Sequence, residues 1–123
     1  MNKVIYELKM YSSNLSNEPN FITCGMKNTL IIEGYDDRGK INKVCIELDS
    51  VLCYKKTSVR FTPKLYDSYD KVVELIESDW LKELKAINEE DFVFWNPRHF
   101  ILYLDERGMY EFIACDIEIT EYE

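Results

Sequence analysis

The strongest structural signal in the chain is a pair of runs, both rich in aromatic and branched residues, in its last third. They are Arg98–Leu104 and residues 109–119, and the four residues between them have the sequence DERG. Runs of this composition, joined by a short polar turn that contains glycine, are typical of a β-hairpin. An isolated hairpin is at best marginally stable, so the rest of the chain is expected to cover it with further strands and a helix.

Several segments of the first half predict those further strands. They are either alternating in hydrophobicity or rich in branched residues, and polar turn or loop residues separate them. A short edge piece is predicted at residues 60–62, just before Pro63. The other predicted strands are residues 3–11, 21–25, 29–35, 41–49 and 51–56.

One long amphipathic helix is predicted over residues 68–87. Its apolar residues recur at steps of three and four, which places them on one side of a helix. Trp80 lies in the middle of that stripe, and its size makes it the expected anchor between helix and sheet. The acidic residues 89–91 would follow the helix C-terminus, where the dipole disfavours them, so fraying is expected there. The stripe consists of Val72, Val73, Ile76, Trp80, Leu84 and Ile87.

These elements together predict an α+β fold in a single domain of residues 1–123. The expected architecture is an antiparallel sheet of about six or seven strands, with the long helix packed on one face. A two-sheet β-sandwich with one helix is the alternative, because the same number of short strands can also close in that way. The strand order and the oligomeric state do not follow from the sequence.

The charge balance predicts the kind of partner. The chain carries 23 acidic and 15 basic side chains, for a net charge of -8. Such a field repels nucleic acids and anionic membranes and attracts basic proteins. We therefore expect no nucleic acid or membrane partner. Aromatic and basic residues are adjacent near Tyr54 and Trp95, as in proteins that stack on single-stranded bases, but the net charge argues against that role and core packing explains Trp95 more simply.

The termini and the cysteines predict a cytoplasmic protein. The first residues show no export signal, and no apolar run approaches the roughly 18 residues that a membrane span needs. The four cysteines form no CxxC motif, as expected for reduced thiols. The turn sequences DDRG and DERG lack the oxygen ligands of a calcium loop, and no cofactor or metal site is predicted.

His99 is the only histidine, so any chemistry that needs an imidazole depends on it. Alternation places His99 on one face of its strand together with Ile101 and Tyr103. It could serve as an acid or base beside Asp116 or Glu118, or activate the thiol of Cys115. A structural histidine is the third interpretation and the one that we favour, because no glycine-rich phosphate loop, GxSxG or HExxH motif is present. No catalytic residue is therefore predicted, and His99 and Cys115 stay weak candidates.

Two stretches resemble small uncharacterised bacterial cytosolic proteins, some of which are toxin-immunity proteins. The first stretch is residues 78–84 (SDWLKEL). The second is residues 99–104 (HFILYL) followed by residues 108–114 (GMYEFIA). The resemblance covers roughly the C-terminal half and consists mostly of core and turn residues. It implies an α+β domain with a binding role, and it carries over no catalytic residue.

Three functions are compatible with these observations. The first is a non-enzymatic acidic protein-binding module, in the form of an immunity protein that neutralises a basic toxin. The second is a small hydrolase or transferase that uses His99 with Cys115 or a neighbouring carboxylate. The third is a structural subunit whose partner covers an exposed edge strand.

Overall fold

The structure, a computed structural model, describes residues 2–62, 69–104 and 107–122. Most of these residues belong to strands, and two short helices follow each other between the fifth and sixth strands. The strands are β1 (Asn2–Glu7), β2 (Asn20–Cys24), β3 (Lys27–Tyr35), β4 (Ile41–Thr57), β5 (Lys71–Leu75), β6 (Arg98–Leu104) and β7 (Gly108–Tyr122). The helices are α1 (Asp79–Ile87) and α2 (Glu89–Trp95).

All seven strands form one antiparallel sheet in the order β1-β5-β6-β7-β4-β3-β2. The predicted hairpin is present at its centre as β6 and β7, which pair from Arg98 with Ala114 to Leu104 with Gly108. The alternative prediction of a two-sheet sandwich is wrong, because the described strands all belong to this single sheet. The two edges of the sheet are β1 and β2.

The predicted single long helix over residues 68–87 is wrong. Residue 68 lies outside the described residues, Lys71–Leu75 is a strand, and the helix begins only at Asp79. β5 pairs with β1 on one side and β6 on the other, and its adjacent residues Val72 and Val73 are buried in the cores on opposite faces of the sheet. Two neighbouring buried branched residues suit a central strand and not a helix stripe. The predicted stripe therefore combined residues from both faces of the strand β5 with residues from one face of the helix α1.

The acidic residues 89–91 begin a second helix instead of fraying the first. The Asn88 side chain accepts a hydrogen bond from the Asp91 backbone N–H at 3.1 Å, which caps the start of α2. Acidic residues in a first helical turn are stabilised by the helix dipole. Residues 89–91, which would be unfavourable at the C-terminus of the predicted helix, are thus favourable at the N-terminus of α2.

The long strand β4 combines two predicted strands. They meet at Ser50, which has a φ of 52°, and the pairing of β4 with β7 shifts register between Val51 and Cys53. A shift of this kind is a β-bulge, which bends the strand without ending it. The edge piece predicted at residues 60–62 is instead part of a short 3-10 turn, Val59–Phe61.

The two faces of the sheet carry separate apolar clusters. The larger cluster includes Phe100, Leu102 and Phe112, and residues of the segment after β1, such as Leu8 and Met10, pack into it. The smaller cluster lies on the opposite face and contains Val73, Ile101, Tyr103 and Met109. The N-terminal end of α1 lies over this second face, where the Trp80 ring contacts the His99 ring edge-on at 5.4 Å between centroids. The second face is therefore where the helices meet polar side chains of the sheet.

Neither described helix is both long enough and apolar enough to cross a membrane.

Candidate functional site

Three buried polar side chains form a hydrogen-bonded chain on the second face of the sheet. The Ser78 Oγ lies 2.6 Å from the His99 Nδ1, and the His99 Nε2 lies 3.0 Å from the Glu111 Oε1. The side chains of His99 and Glu111 are only 5% and 8% exposed. Buried polar groups of this kind are costly unless they are hydrogen-bonded, and here the imidazole has a partner on each nitrogen.

Strand pairing explains why these residues meet. Glu111 of β7 pairs directly with Ile101 of β6, so its side chain is on the same face as His99, one diagonal step along the sheet. Leu75, the last residue of β5, pairs with His99. The chain then turns into α1, and Ser78 at the start of this helix comes to lie against the imidazole.

The hydrogen bonds assign a role to each atom. The Ser78 Oγ caps α1 by accepting the Leu81 backbone N–H at 3.1 Å, so its own O–H is available to donate to the His99 Nδ1. The Glu111 carboxylate accepts the proton on Nε2, which fixes the tautomer of the ring. Lys55 adds a positive charge, since its Nζ lies 3.6 Å from the other Glu111 oxygen and 4.5 Å from the centre of the Trp80 ring.

This chain of residues lines an open cleft of about 480 Å³. One side of the cleft is formed by the start of α1, and the other by the sheet. Four acidic side chains, one lysine and one indole are among its lining residues, so the cleft favours neutral or positively charged groups over anions. The lining residues besides Ser78, His99 and Glu111 are Lys55, Leu75, Glu77, Asp79, Trp80 and Glu83.

The structure separates the two residues that the sequence had offered as weak candidates. His99 does lie on the predicted face with Ile101 and Tyr103, but the carboxylate beside it is Glu111, and Asp116 is an exposed residue that pairs with Asp49. Glu118, the other predicted carboxylate, is also exposed and pairs with Glu47.

Cys115 does not join His99. Its thiol donates a hydrogen bond to the Trp95 backbone carbonyl at 3.1 Å. Burial raises the pKa of the Cys115 thiol, and the charge of Asp116 raises it further. A thiol with a raised pKa is a poor nucleophile, because the thiolate is the reactive form. Both His99 nitrogens are already occupied by Ser78 and Glu111.

Sequence reasoning missed Ser78 and Glu111, although each had a signal. Ser78 directly precedes the helical part of the amphipathic segment, which is the position of an N-cap. Glu111 is the one charged residue in the otherwise apolar run of residues 109–114. A charge inside a central strand is rarely buried without a partner, and the single histidine was the obvious one.

A second surface lies on the two helices. Ile87, Val93 and Phe94 are 79%, 65% and 77% exposed, although all are large and apolar. Ile87 also lines a groove of about 270 Å³ between the helices and β4. We call the exposed residues and the groove the helical face. The groove is lined by Leu52, Cys53, Leu84, Ile87, Asn88, Asp91, Phe92 and Trp95.

The helical face is also acidic. Residues 77–95 contain six acidic side chains and two lysines, a net charge of −4 in a segment of 19 residues. Half of the net charge of -8 of the whole chain is thus concentrated on the two helices and the turn before them. Among the described residues, no group of three or more histidine, cysteine or acidic side chains is arranged to hold a metal ion.

Comparison of the chain with models of protein families, with curated proteins and with solved structures finds no match in any of the three. The resemblance to bacterial toxin-immunity proteins therefore stays a prediction.

Proposed function

We propose that the chain is an acidic protein-binding module and that the helical face is its contact surface. The observation that carries the proposal is the exposure of three large apolar side chains on α1 and α2, Ile87, Val93 and Phe94, of which Ile87 also lines an apolar groove. Each of these side chains leaves apolar surface in water at a cost of roughly 25 cal/mol per Å². Exposed large apolar side chains with charged neighbours are typical of protein interaction sites.

Two adjacent aromatic side chains of α2 suit an interaction surface. Phe94 projects an aromatic ring into solvent, and its neighbour Trp95 helps to line the groove. Aromatic residues near the centre of an interface commonly contribute most of the binding free energy. The groove has room for one or two apolar side chains of the partner.

The partner that fits this face is a basic protein. The acidic side chains around the apolar residues would attract a cationic surface and would orient it during the encounter. A toxin with a basic active site is a partner of this kind, and the module would then be an immunity protein that covers it. Binding of this type is sensitive to salt, because the charges at the rim are screened.

The proposal is tested by capture of partners on the immobilised chain, in lysate of its source cells supplemented with the products of the neighbouring genes. At about 50 mM salt, where screening is weak, we expect a basic protein to be retained. The double substitution of Val93 and Phe94 by serine should abolish its retention, since it removes apolar contacts and touches no buried residue. Retention should also fall at least tenfold at about 0.5 M salt.

Two controls make the result specific to the helical face. Phe61→Ser removes an equally exposed ring elsewhere on the surface and should leave capture unchanged. Glu89→Gln with Glu90→Gln should weaken capture, whereas Glu7→Gln with Glu118→Gln, which removes the same charge from strands β1 and β7, should not. Failure to retain any basic protein, or equal retention by the Val93 and Phe94 variant, would overturn the proposal.

A hydrolase is the second candidate function, and one observation favours it. His99 is one of the residues that line an open cleft, and it is hydrogen-bonded to a carboxylate, as a general base requires. The form of this hypothesis that uses Cys115 has no support in the geometry. A hydrolase with His99 as its general base would therefore need a nucleophile other than Cys115.

A further inference from the structure

We infer that Ser78 is a nucleophilic serine, activated by His99 and Glu111, in a site that hydrolyses small carboxylic esters. The inference deepens the hydrolase candidate and is independent of the helical face. It rests on the continuous chain of hydrogen bonds from the Ser78 hydroxyl through the imidazole to the Glu111 carboxylate. A nucleophile, a base and a group that orients the base are the three parts of an activated serine.

The distances between these side chains allow proton transfer from Ser78 to His99. The Ser78 Oγ is 2.6 Å from Nδ1, within reach for proton transfer, and Glu111 holds the opposite nitrogen at 3.0 Å. Because Glu111 binds the N–H of Nε2, the lone pair of Nδ1 points at the serine. The carboxylate would also stabilise the imidazolium that forms when His99 takes the serine proton.

The start of α1 supplies donors for the charge that develops on the substrate. The backbone N–H groups of Asp79 and Trp80 follow Ser78 directly and belong to the first helical turn, where N–H groups have no acceptor within the helix. Donors at such a helix start are suited to an oxyanion. The Leu81 N–H, which already binds the Ser78 Oγ, would stabilise negative charge on that oxygen during attack.

The reaction balances with water as the only co-reactant. The Ser78 Oγ bonds to the ester carbonyl carbon while its proton moves to the His99 Nδ1. The carbon–oxygen bond of the ester then breaks, and the leaving alcohol takes that proton, which leaves an acyl group on Ser78. Water attacks this acyl group and gives its proton to Nδ1, the bond to Ser78 breaks, and the proton returns to Oγ as the carboxylic acid is released.

The cleft sets the class of ester. Its volume of about 480 Å³ admits a small substrate, and Leu75 and Trp80 provide apolar contacts. The acidic side chains Glu77, Asp79 and Glu83 around it disfavour esters that carry a negative charge. We therefore assign neutral or positively charged esters of short acids to the site.

The test uses the full chain with a fluorophosphonate, which bonds to activated serines with loss of fluoride, and with p-nitrophenyl acetate. Mass spectrometry should place the phosphonyl group on Ser78, whereas Ser58, an exposed serine, should stay unmodified. The rate of labelling should fall at least about 100-fold in His99→Gln, the usual effect of losing a general base. Glu111 is a positioning residue, so Glu111→Gln should slow labelling and shift its pH profile, which a purely structural role would not do.

Ser78→Asn separates the chemistry from the fold, because asparagine is also a good N-cap but has no hydroxyl. This variant should fold and should lose both labelling and turnover of p-nitrophenyl acetate. Absence of label on wild-type Ser78, or labelling that His99→Gln leaves unchanged, would overturn the inference. Turnover that survives in Ser78→Asn but is lost in His99→Gln would remove Ser78 from the reaction while keeping the hydrolase candidate. Turnover that survives in both Ser78→Asn and His99→Gln would contradict both the inference and the hydrolase candidate.

Discussion

Replacement of Phe100 by alanine is expected to lower the free energy of unfolding by about 3–5 kcal/mol. Phe100 is 1% exposed and lies in the larger apolar cluster, directly paired with Phe112 of the neighbouring strand. Loss of its ring would leave a cavity at the central strands. These strands are closely packed and paired with each other, so they cannot move to fill it. Because domains are stable by only about 5–15 kcal/mol, this is a large fraction of the total.

Urea denaturation followed by tryptophan fluorescence measures this change. Phe61→Ala is the matched control, since it removes the same ring from a position that is 81% exposed, and it should alter the free energy of unfolding by less than about 0.5 kcal/mol. Similar costs for the two variants would mean that Phe100 is not in the core, and the assignment of the sheet faces would be wrong.

Gly108→Ala is the second change with a large expected effect, at least about 3 kcal/mol in the free energy of unfolding. Gly108 begins β7 with a φ of 109°, a conformation that side chains rarely adopt. A Cβ at this position would also lie well inside van der Waals contact with the Thr57 carbonyl oxygen of β4. The oxygen belongs to the backbone of the paired strand, so it cannot move without disturbing the pairing of Thr57 with Met109.

Gly39→Ala separates the two causes. Gly39 also has a positive φ, 74°, but nothing lies within 4 Å of the position that its Cβ would take. Its replacement should cost only the backbone strain, about 1–2 kcal/mol, in the same denaturation experiment. If both glycine variants lower the free energy of unfolding by the same amount, β4 and β7 do not approach closely at Gly108.

The sequence predicted those parts of the fold that depend on local pattern. The hairpin of β6 and β7 was recognised because its strands are adjacent in the chain and its turn is short. The helix was placed wrongly because Val72 and Val73, four and three residues before Ile76, also match a helical stripe. The pairings of β5 with β1, about 70 residues away in the chain, and with β6 distinguish the two possibilities, and a single sequence carries no record of these pairings.

The same limit applies to the site. His99 was found because it is the only histidine, and its face followed from alternation. Its contact with Ser78 did not follow from the pattern, because it exists only if residues 71–75 form a strand and the chain turns into α1 at Ser78. The exposed apolar residues of α2 were missed for a related reason, since no helix is predicted from the sequence beyond residue 87.

The transition from strand to helix at Ser78 is the claim on which both the cleft and the helical face depend. Backbone chemical shifts and nuclear Overhauser contacts test it directly. We expect extended shifts for Lys71–Leu75 with contacts from Val73 to both Val4 and Ile101, then helical shifts for Asp79–Ile87 and Glu89–Trp95 with a break at Asn88. Uninterrupted helical shifts from residue 71 to residue 87, without those cross-strand contacts, would contradict it.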